Sequence, residues 1–165
     1  MIYVKIFKDS ELALIHLEGK IGKNDVIMIN SSLFSHPDFR PHFNCLVDAR
    51  KVKLSVTSNH MPKIYHDVSK VSPITGSWAH LSDDPRYIAL TMEYITLSKG
   101  RHPCRIVYSL KEAERFLGYD DLIPFLNLPP SEEEVYAQYE DDRAREQQQN
   151  PQPLRPIEAG GKNQG

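Results

Sequence analysis

The chain predicts an α/β fold built on a mainly parallel sheet, and three observations carry this. The first is Phe43-Asn-Cys-Leu-Val-Asp-Ala-Arg50, a short apolar run closed by an acid, with helical spacing before and after it. A parallel strand is covered on both faces, so it reads as a continuous apolar run. The second is the alternation of short apolar runs with helical periodicity through residues 12–118, the pattern of right-handed crossovers in a parallel sheet. The third is a pair of β-rich runs, Ile2–Phe7 and Leu12–Leu17, joined by Lys8-Asp-Ser-Glu11. That spacing predicts an antiparallel hairpin at the start. The expected order is ββαβαβαβα, a five-stranded mixed sheet.

Each element follows from local chemistry. Gly19 and Gly22 break the second strand. Asn24-Asp25 can then cap a helix carrying Val26, Ile27, Ile29, Leu33 and Phe34. His36-Pro37 ends it, because a residue before proline avoids the α region. The third strand spans 43–48, which puts Asp48 at its carboxyl end, the edge where open α/β sheets carry their chemistry. Met61, Ile64, Tyr65 and Val68 share one face of a second helix. Pro62 fits only its first turn, so Ser58 or Asn59 is the expected cap.

Ser77–Leu81 reads as the fourth strand. Asp83-Asp84-Pro85 opens a third helix, Arg86–Leu97, with Tyr87, Leu90, Thr91 and Tyr94 on one face. Lys99-Gly100-Arg101 stops it. Arg105–Tyr108 is the fifth strand. Ser109-Leu-Lys-Glu112 forms a capping box for the helix Lys111–Leu117, which Gly118 closes. The domain therefore spans 1–118. Residues 119–146 form an edge segment and an acidic helical extension, with Pro129-Pro130 as a boundary and a capping box at Ser131–Glu134. Residues 147–165 are rich in Gln, Pro, Gly and Asn and are expected to be disordered.

Composition narrows the function classes. The chain has 165 residues, is 40% hydrophobic and carries a formal net charge of −2, so no global field draws it to nucleic acid or anionic membrane. No run approaches a membrane span, and the start lacks a secretory pattern, so a cytoplasmic location is expected. Cys45 and Cys104 read as buried reduced thiols. The seven histidines show no HExxH and no ligand spacing with cysteine, so no metal is expected and each histidine reads as a surface or loop residue. There is no G-x-S-x-G and no phosphate-binding glycine loop. No catalytic residue and no cofactor follow from any motif.

Three stretches carry a family resemblance. They are Ser35-His-Pro-Asp-Phe39, Cys45-Leu-Val-Asp-Ala-Arg50, and Arg105-Ile-Val-Tyr-Ser-Leu-Lys-Glu-Ala-Glu-Arg-Phe-Leu-Gly118. With the strand order, they make residues 1–118 resemble the STAS/SpoIIAA-like superfamily, in particular bacterial proteins holding this domain alone. The resemblance implies a SpoIIAA-like fold. That superfamily includes anti-sigma-factor antagonists, transporter and sensor modules, and the structurally related CRAL-TRIO lipid carriers. Its antagonists place a phosphorylatable serine about nine residues after the strand-three aspartate, in an Asp-Ser-Ser/Ala-Gly motif. The corresponding segment here is Val56-Thr57-Ser58-Asn59, which lacks both the acid and the glycine. Thr57 and Ser58 therefore read first as helix-capping hydroxyls.

The candidate ligand- or partner-binding residues are Asp48, Arg50, Thr57 and Ser58, around the loop from strand three to helix two. Asp48 also reads as a loop-anchoring carboxylate, and Arg50, Lys51 and Lys53 as solvated cations. The leading expectation is a non-enzymatic regulatory or protein-interaction module with an unidentified protein partner. The alternative is a carrier or sensor of a small apolar ligand, held between the sheet and helices bearing Trp78, Tyr87, Met92 and Tyr94. Two observations divide them. An interaction module exposes apolar side chains beside helix two and has no deep cavity, whereas a carrier holds an apolar cavity of several hundred Å³.

Overall fold

Two β-rich runs and a tight connector make the hairpin. β1 (Ile2–Phe7) pairs antiparallel with β2 (Leu12–Ile21), in register from Ile2 opposite Leu17 to Phe7 opposite Leu12. A 3-10 turn at Lys8–Ser10 and a left-handed Glu11 (φ 50°) reverse the chain. The structure is a computed structural model, and it describes residues 1–71 and 74–127. The expected Pro129-Pro130 boundary, the capping box at Ser131–Glu134 and the disordered tail 147–165 lie outside the described residues.

β3 (Asn44–Leu54), β4 (Trp78–Leu81) and β5 (Cys104–Val107) add in parallel, giving the order β1-β2-β3-β4-β5. α1 (Lys23–Ser35), α2 (Met61–Val71) and α3 (Pro85–Ser98) join successive parallel strands. Right-handed crossovers that step in one direction lay their helices on one face. α1 accordingly packs on α2, and α2 on α3. α4 (Leu110–Leu117) covers the other face, followed by a single turn, α5 (Ile123–Leu126). This is the mixed sheet, antiparallel at its start and parallel thereafter, that the sequence predicts.

Side-chain alternation divides the interior. Ala13, Ile15, Cys45, Val47 and Trp78 face α1–α3, whereas Leu12, Leu14, Leu46, Ala79 and Leu81 face α4. Leu46 and Ala79 are 0% exposed, and Leu14 and Leu81 are 1% exposed. Leu122 is equally buried, and Tyr119 and Phe125 pack on the same cluster. Residues just past Gly118 therefore belong to the α4-face core. A third cluster, Val56, Met61, Ile64, Val68 and Leu90, sits between α2 and α3.

Several boundaries differ from expectation, each for a physical reason. β2 does not stop at Leu17. Gly19 adopts φ +86° yet pairs with Val52, and just before it Ala49 and Arg50 of β3 face the single Leu17 of β2, so the bulge lies on β3 and β2 runs on. β3 does not end at Asp48 either. It pairs with β2 as far as Leu54 opposite Ile21, and Lys51 and Lys53 are its solvent-facing positions rather than loop residues. Asp48 is the last β3 residue paired with β4 and lies within the strand. Gly22, not Asn24, precedes the first turn of α1, and its N–H donates to the Asp25 carboxylate at 2.6 Å. Asp25 is thus a third-position acid that anchors the helix start.

At the head of β4 the chain comes very close to β3. A Cβ on Gly76 would fall 2.1 Å from the Phe43 carbonyl oxygen, so only glycine lets this loop approach. Asn44 fastens the same corner. Its side chain donates to the Leu117 carbonyl at 3.0 Å and accepts from the Ser77 N–H at 2.9 Å. These contacts set Trp78 opposite Cys45 on β3 and Cys104 on β5.

Candidate functional site

The expected site residues fall into two separate pairs. Asp48 shares its sheet face with Leu46, towards α4, and is 3% exposed. Arg50 grips it in a bidentate pair, Nε to Oδ1 and Nη2 to Oδ2, both at 2.8 Å. His16 Nδ1 lies 3.5 Å from Oδ2, and His16 Nε2 lies 3.4 Å from Glu18. The His16 ring stacks on Tyr3 at 4.8 Å. Burial raises the Asp48 carboxyl's hold on its proton, but the Arg50 and His16 contacts outweigh it. Asp48 therefore titrates well below the ordinary carboxylate range. A carboxylate so fully engaged has little capacity left as a base.

Thr57 and Ser58 lie on the other side of the sheet, at the start of α2. A 3-10 turn, Ser58–His60, leads into that helix. The Thr57 N–H donates to His60 Nδ1 at 3.2 Å, and the Thr57 hydroxyl contacts the same atom at 3.2 Å. Thr57 is therefore a capping residue, and Pro62 occupies the first turn of α2 as its chemistry requires. The structure brings Asp48 to Arg50 and Thr57 to His60, but it does not make one cluster of the four.

Between the sheet and α1–α3 lies a cavity of about 110 Å³, partly open to the surface. Ile15, Leu17 and Val47 form its floor. Ile29 of α1, Met61, Ile64 and Val68 of α2, and Tyr87, Leu90, Thr91 and Tyr94 of α3 form its walls. The four α3 residues are those whose spacing predicted one apolar face. Met92, grouped with them from sequence, points outward and is 52% exposed. Among the described residues no charged side chain lines the cavity.

Trp78 and His80, two apart on β4, complete the lining. His80 Nδ1 lies 2.7 Å from the Tyr87 hydroxyl. His80 Nε2 and Trp78 Nε1 are buried without a hydrogen-bond partner among the described residues. Burial, with a smaller contribution from nearby His102, lowers the His80 pKa to about 4. Burial also drives the Tyr87 hydroxyl pKa up and takes that of Tyr94 up to about 12. The cavity is therefore uncharged at neutral pH. Cys45 and Cys104 are free, and burial lifts both thiols, Cys104 to about 12. They are unreactive small apolar groups, as expected.

His80, inside β4, corrects the reading of every histidine as a surface or loop residue, whereas His102 lies in the loop before β5. His102 is 7% exposed and packs edge-on to Trp78 at 5.7 Å. The signal available in the sequence was Trp78-Ala79-His80-Leu81, where strand alternation forces His80 onto the face of Trp78. Among the described residues no group of three or more His, Cys, Asp or Glu could hold a metal, and no helix is long and apolar enough to cross a membrane.

No family model matches the chain, and no curated protein matches it. Among solved structures it is similar to the anti-sigma factor antagonist SpoIIAA in its unphosphorylated form. That alignment has 11% identity and a TM-score of 0.40, and covers 70% of this chain and 96% of that one. It is also similar to the Bacillus cell fate determinant SpoIIAA in the phosphorylated form. Identity there is 12% and the TM-score 0.41, with 70% of this chain and 98% of that one covered. At this level the likeness concerns the fold, and nothing about ligand or partner follows from it.

Proposed function

We propose that this chain is a regulatory binding module whose signal is a small, mostly apolar molecule held between the sheet and α1–α3. The observation that carries this reading is the uncharged cavity of about 110 Å³. Well-packed interiors hold few voids larger than a water molecule; this one is below the several hundred Å³ expected of a carrier and somewhat below the roughly 150 Å³ cavity that takes up benzene, so it suits only a ligand of about benzene's size or smaller. The apolar side chains of α2 support the same reading. Met61, Ile64 and Val68 are 5%, 2% and 3% exposed, so they are spent on the cavity wall and offer no apolar docking patch.

The regulatory role expected from the sequence is then exercised through the ligand. Occupancy presses on Met61, Ile64 and Val68, and so on the seating of α2 and its Thr57–Ser58 turn. A protein partner would read that change from the outer surface of α1–α3. Native and denaturing mass spectra of the purified chain, with thermal unfolding in the presence of benzene, test the proposal. The expected result is a small bound mass lost on denaturation, or a rise in Tm with benzene that Leu90→Trp abolishes by filling the cavity. No bound mass and an unchanged Tm at saturating benzene would remove the proposal.

A further inference from the structure

We infer that the ligand of this cavity presents one neutral hydrogen-bond acceptor, a carbonyl or ether oxygen on an apolar body, to the indole N–H of Trp78 and the imidazole of His80. This rests on the cavity reading above and adds the ligand's chemical class to it.

The argument begins with the lining. Nearly every group is apolar, yet two polar atoms on adjacent same-face positions of β4 are buried without partners. The indole nitrogen can only donate. The role of His80 Nε2 follows from the other side of its ring. The Tyr87 hydroxyl lies 2.7 Å from His80 Nδ1, and a phenol can give its one hydrogen to that nitrogen. A neutral imidazole that accepts at Nδ1 carries its hydrogen on Nε2. With the phenol donating, Tyr87 and His80 form a relay ending in a donor, so both unpartnered atoms can donate.

A buried donor without a partner is costly, and a ligand that supplies an acceptor recovers that cost. The absence of charge in the lining sets the rest of the chemistry. A carboxylate would enter with no cation to meet it, and an ammonium with no carboxylate to meet it. A neutral oxygen acceptor satisfies the site without burying charge. His102 Nε2 is also unpartnered but does not line the cavity, so it makes no contribution here.

The chain has one tryptophan, so a single indole N–H resonance reports the site. The test is a titration followed by 1H–15N spectra with three probes: cyclopentanone, its shape-matched hydrocarbon methylenecyclopentane, and cyclopentylammonium. Cyclopentanone is expected to bind about tenfold or more tighter than methylenecyclopentane, consistent with recovered buried hydrogen bonds. It should also move the indole N–H downfield, while the ammonium does not bind. His80→Phe and Trp78→Phe should each shrink the ketone preference several-fold and leave methylenecyclopentane affinity unchanged. If either variant fails to fold, the wild-type indole shift still decides. Equal binding of ketone and hydrocarbon, with no downfield indole shift, overturns the acceptor assignment and leaves the cavity reading standing. Binding of none of the probes removes both.

Discussion

The two faces of the sheet handle polar groups in opposite ways. On the α4 face the buried acids are engaged: Asp48 is held by two charge-assisted bonds from Arg50 and by His16, and Glu114 accepts from the Leu122 N–H at 3.1 Å. On the α1–α3 face the polar atoms of Trp78 and His80 are buried and left without partners beside a cavity. The first face is a finished core. The second is packed well enough to fold and incompletely enough to accept something else. Incomplete satisfaction is costly for stability, so its confinement to one face points to where binding resides.

The largest test of this contrast is truncation on each face. Leu46→Ala should cost about 3–5 kcal/mol in urea unfolding, because its dense surroundings cannot collapse into the void. Leu90→Ala, at a wall that already lacks neighbours on one side, should cost about 2–3 kcal/mol. Equal losses would break the distinction between the faces.

The faces should also titrate in different windows. His80 has a folded pKa of about 4 against an ordinary 6.5, so the unfolded chain binds more protons between those values. Stability from this group is complete above pH 6.5 and falls towards pH 4, by up to about 3 kcal/mol. Asp48 changes stability in the same direction but in a lower pH window. Its folded pKa is depressed, so its contribution is present above about pH 4 and is lost only as pH falls below that. Urea midpoints at pH 7 and 4.5 should show the decline in the wild type and a much flatter response in His80→Phe. A wild-type profile flat over that interval would refute the assignment to His80.

Asp48→Asn comes next. Arg50 is 48% exposed and can return to water, so the loss at pH 7 should be about 1–2 kcal/mol rather than the larger penalty of a fully buried orphan. The variant should lose the wild-type decline below pH 4 while probe binding in the cavity stays unchanged. Altered probe affinity would show that the faces are coupled through β3. The smallest effect belongs to neither face. Gly19→Ala should cost about 1 kcal/mol, since its φ of +86° is strained for alanine while the space beside it is open.

Much of this architecture was legible in the sequence. The strand–helix alternation, the hairpin and the aromatic face Tyr87–Tyr94 are carried by periodicity, which is local. What escaped was decided by pairing. A charged stretch such as Arg50-Lys-Val-Lys53 reads as a loop until β2 is known to run beside it, and Gly19 reads as a break until its pairing with Val52 is seen. The site escaped for a related reason. His80 can act as a donor because Tyr87, on another element, reaches the other side of its ring. Asp48 was found at once because an acid after an apolar run is conspicuous, yet its neighbours turned it into an anchor.

The overrunning end of the β2–β3 pair has a consequence for behaviour in concentrated solution. β4 pairs with β3 only as far as Asp48, so among the described residues Arg50 to Leu54 extend with no strand on that side. A bare strand edge is a template for another molecule's backbone. Here Arg50, Lys51 and Lys53 line it with exposed positive charge, and Lys20 stands directly across from Lys53. Like charges in that position weaken the pair slightly, and a second copy approaching edge-on would meet the same cations. The overhang thus carries its own guard against self-association, and replacing Lys51 and Lys53 with valine should raise the tendency of the chain to self-associate.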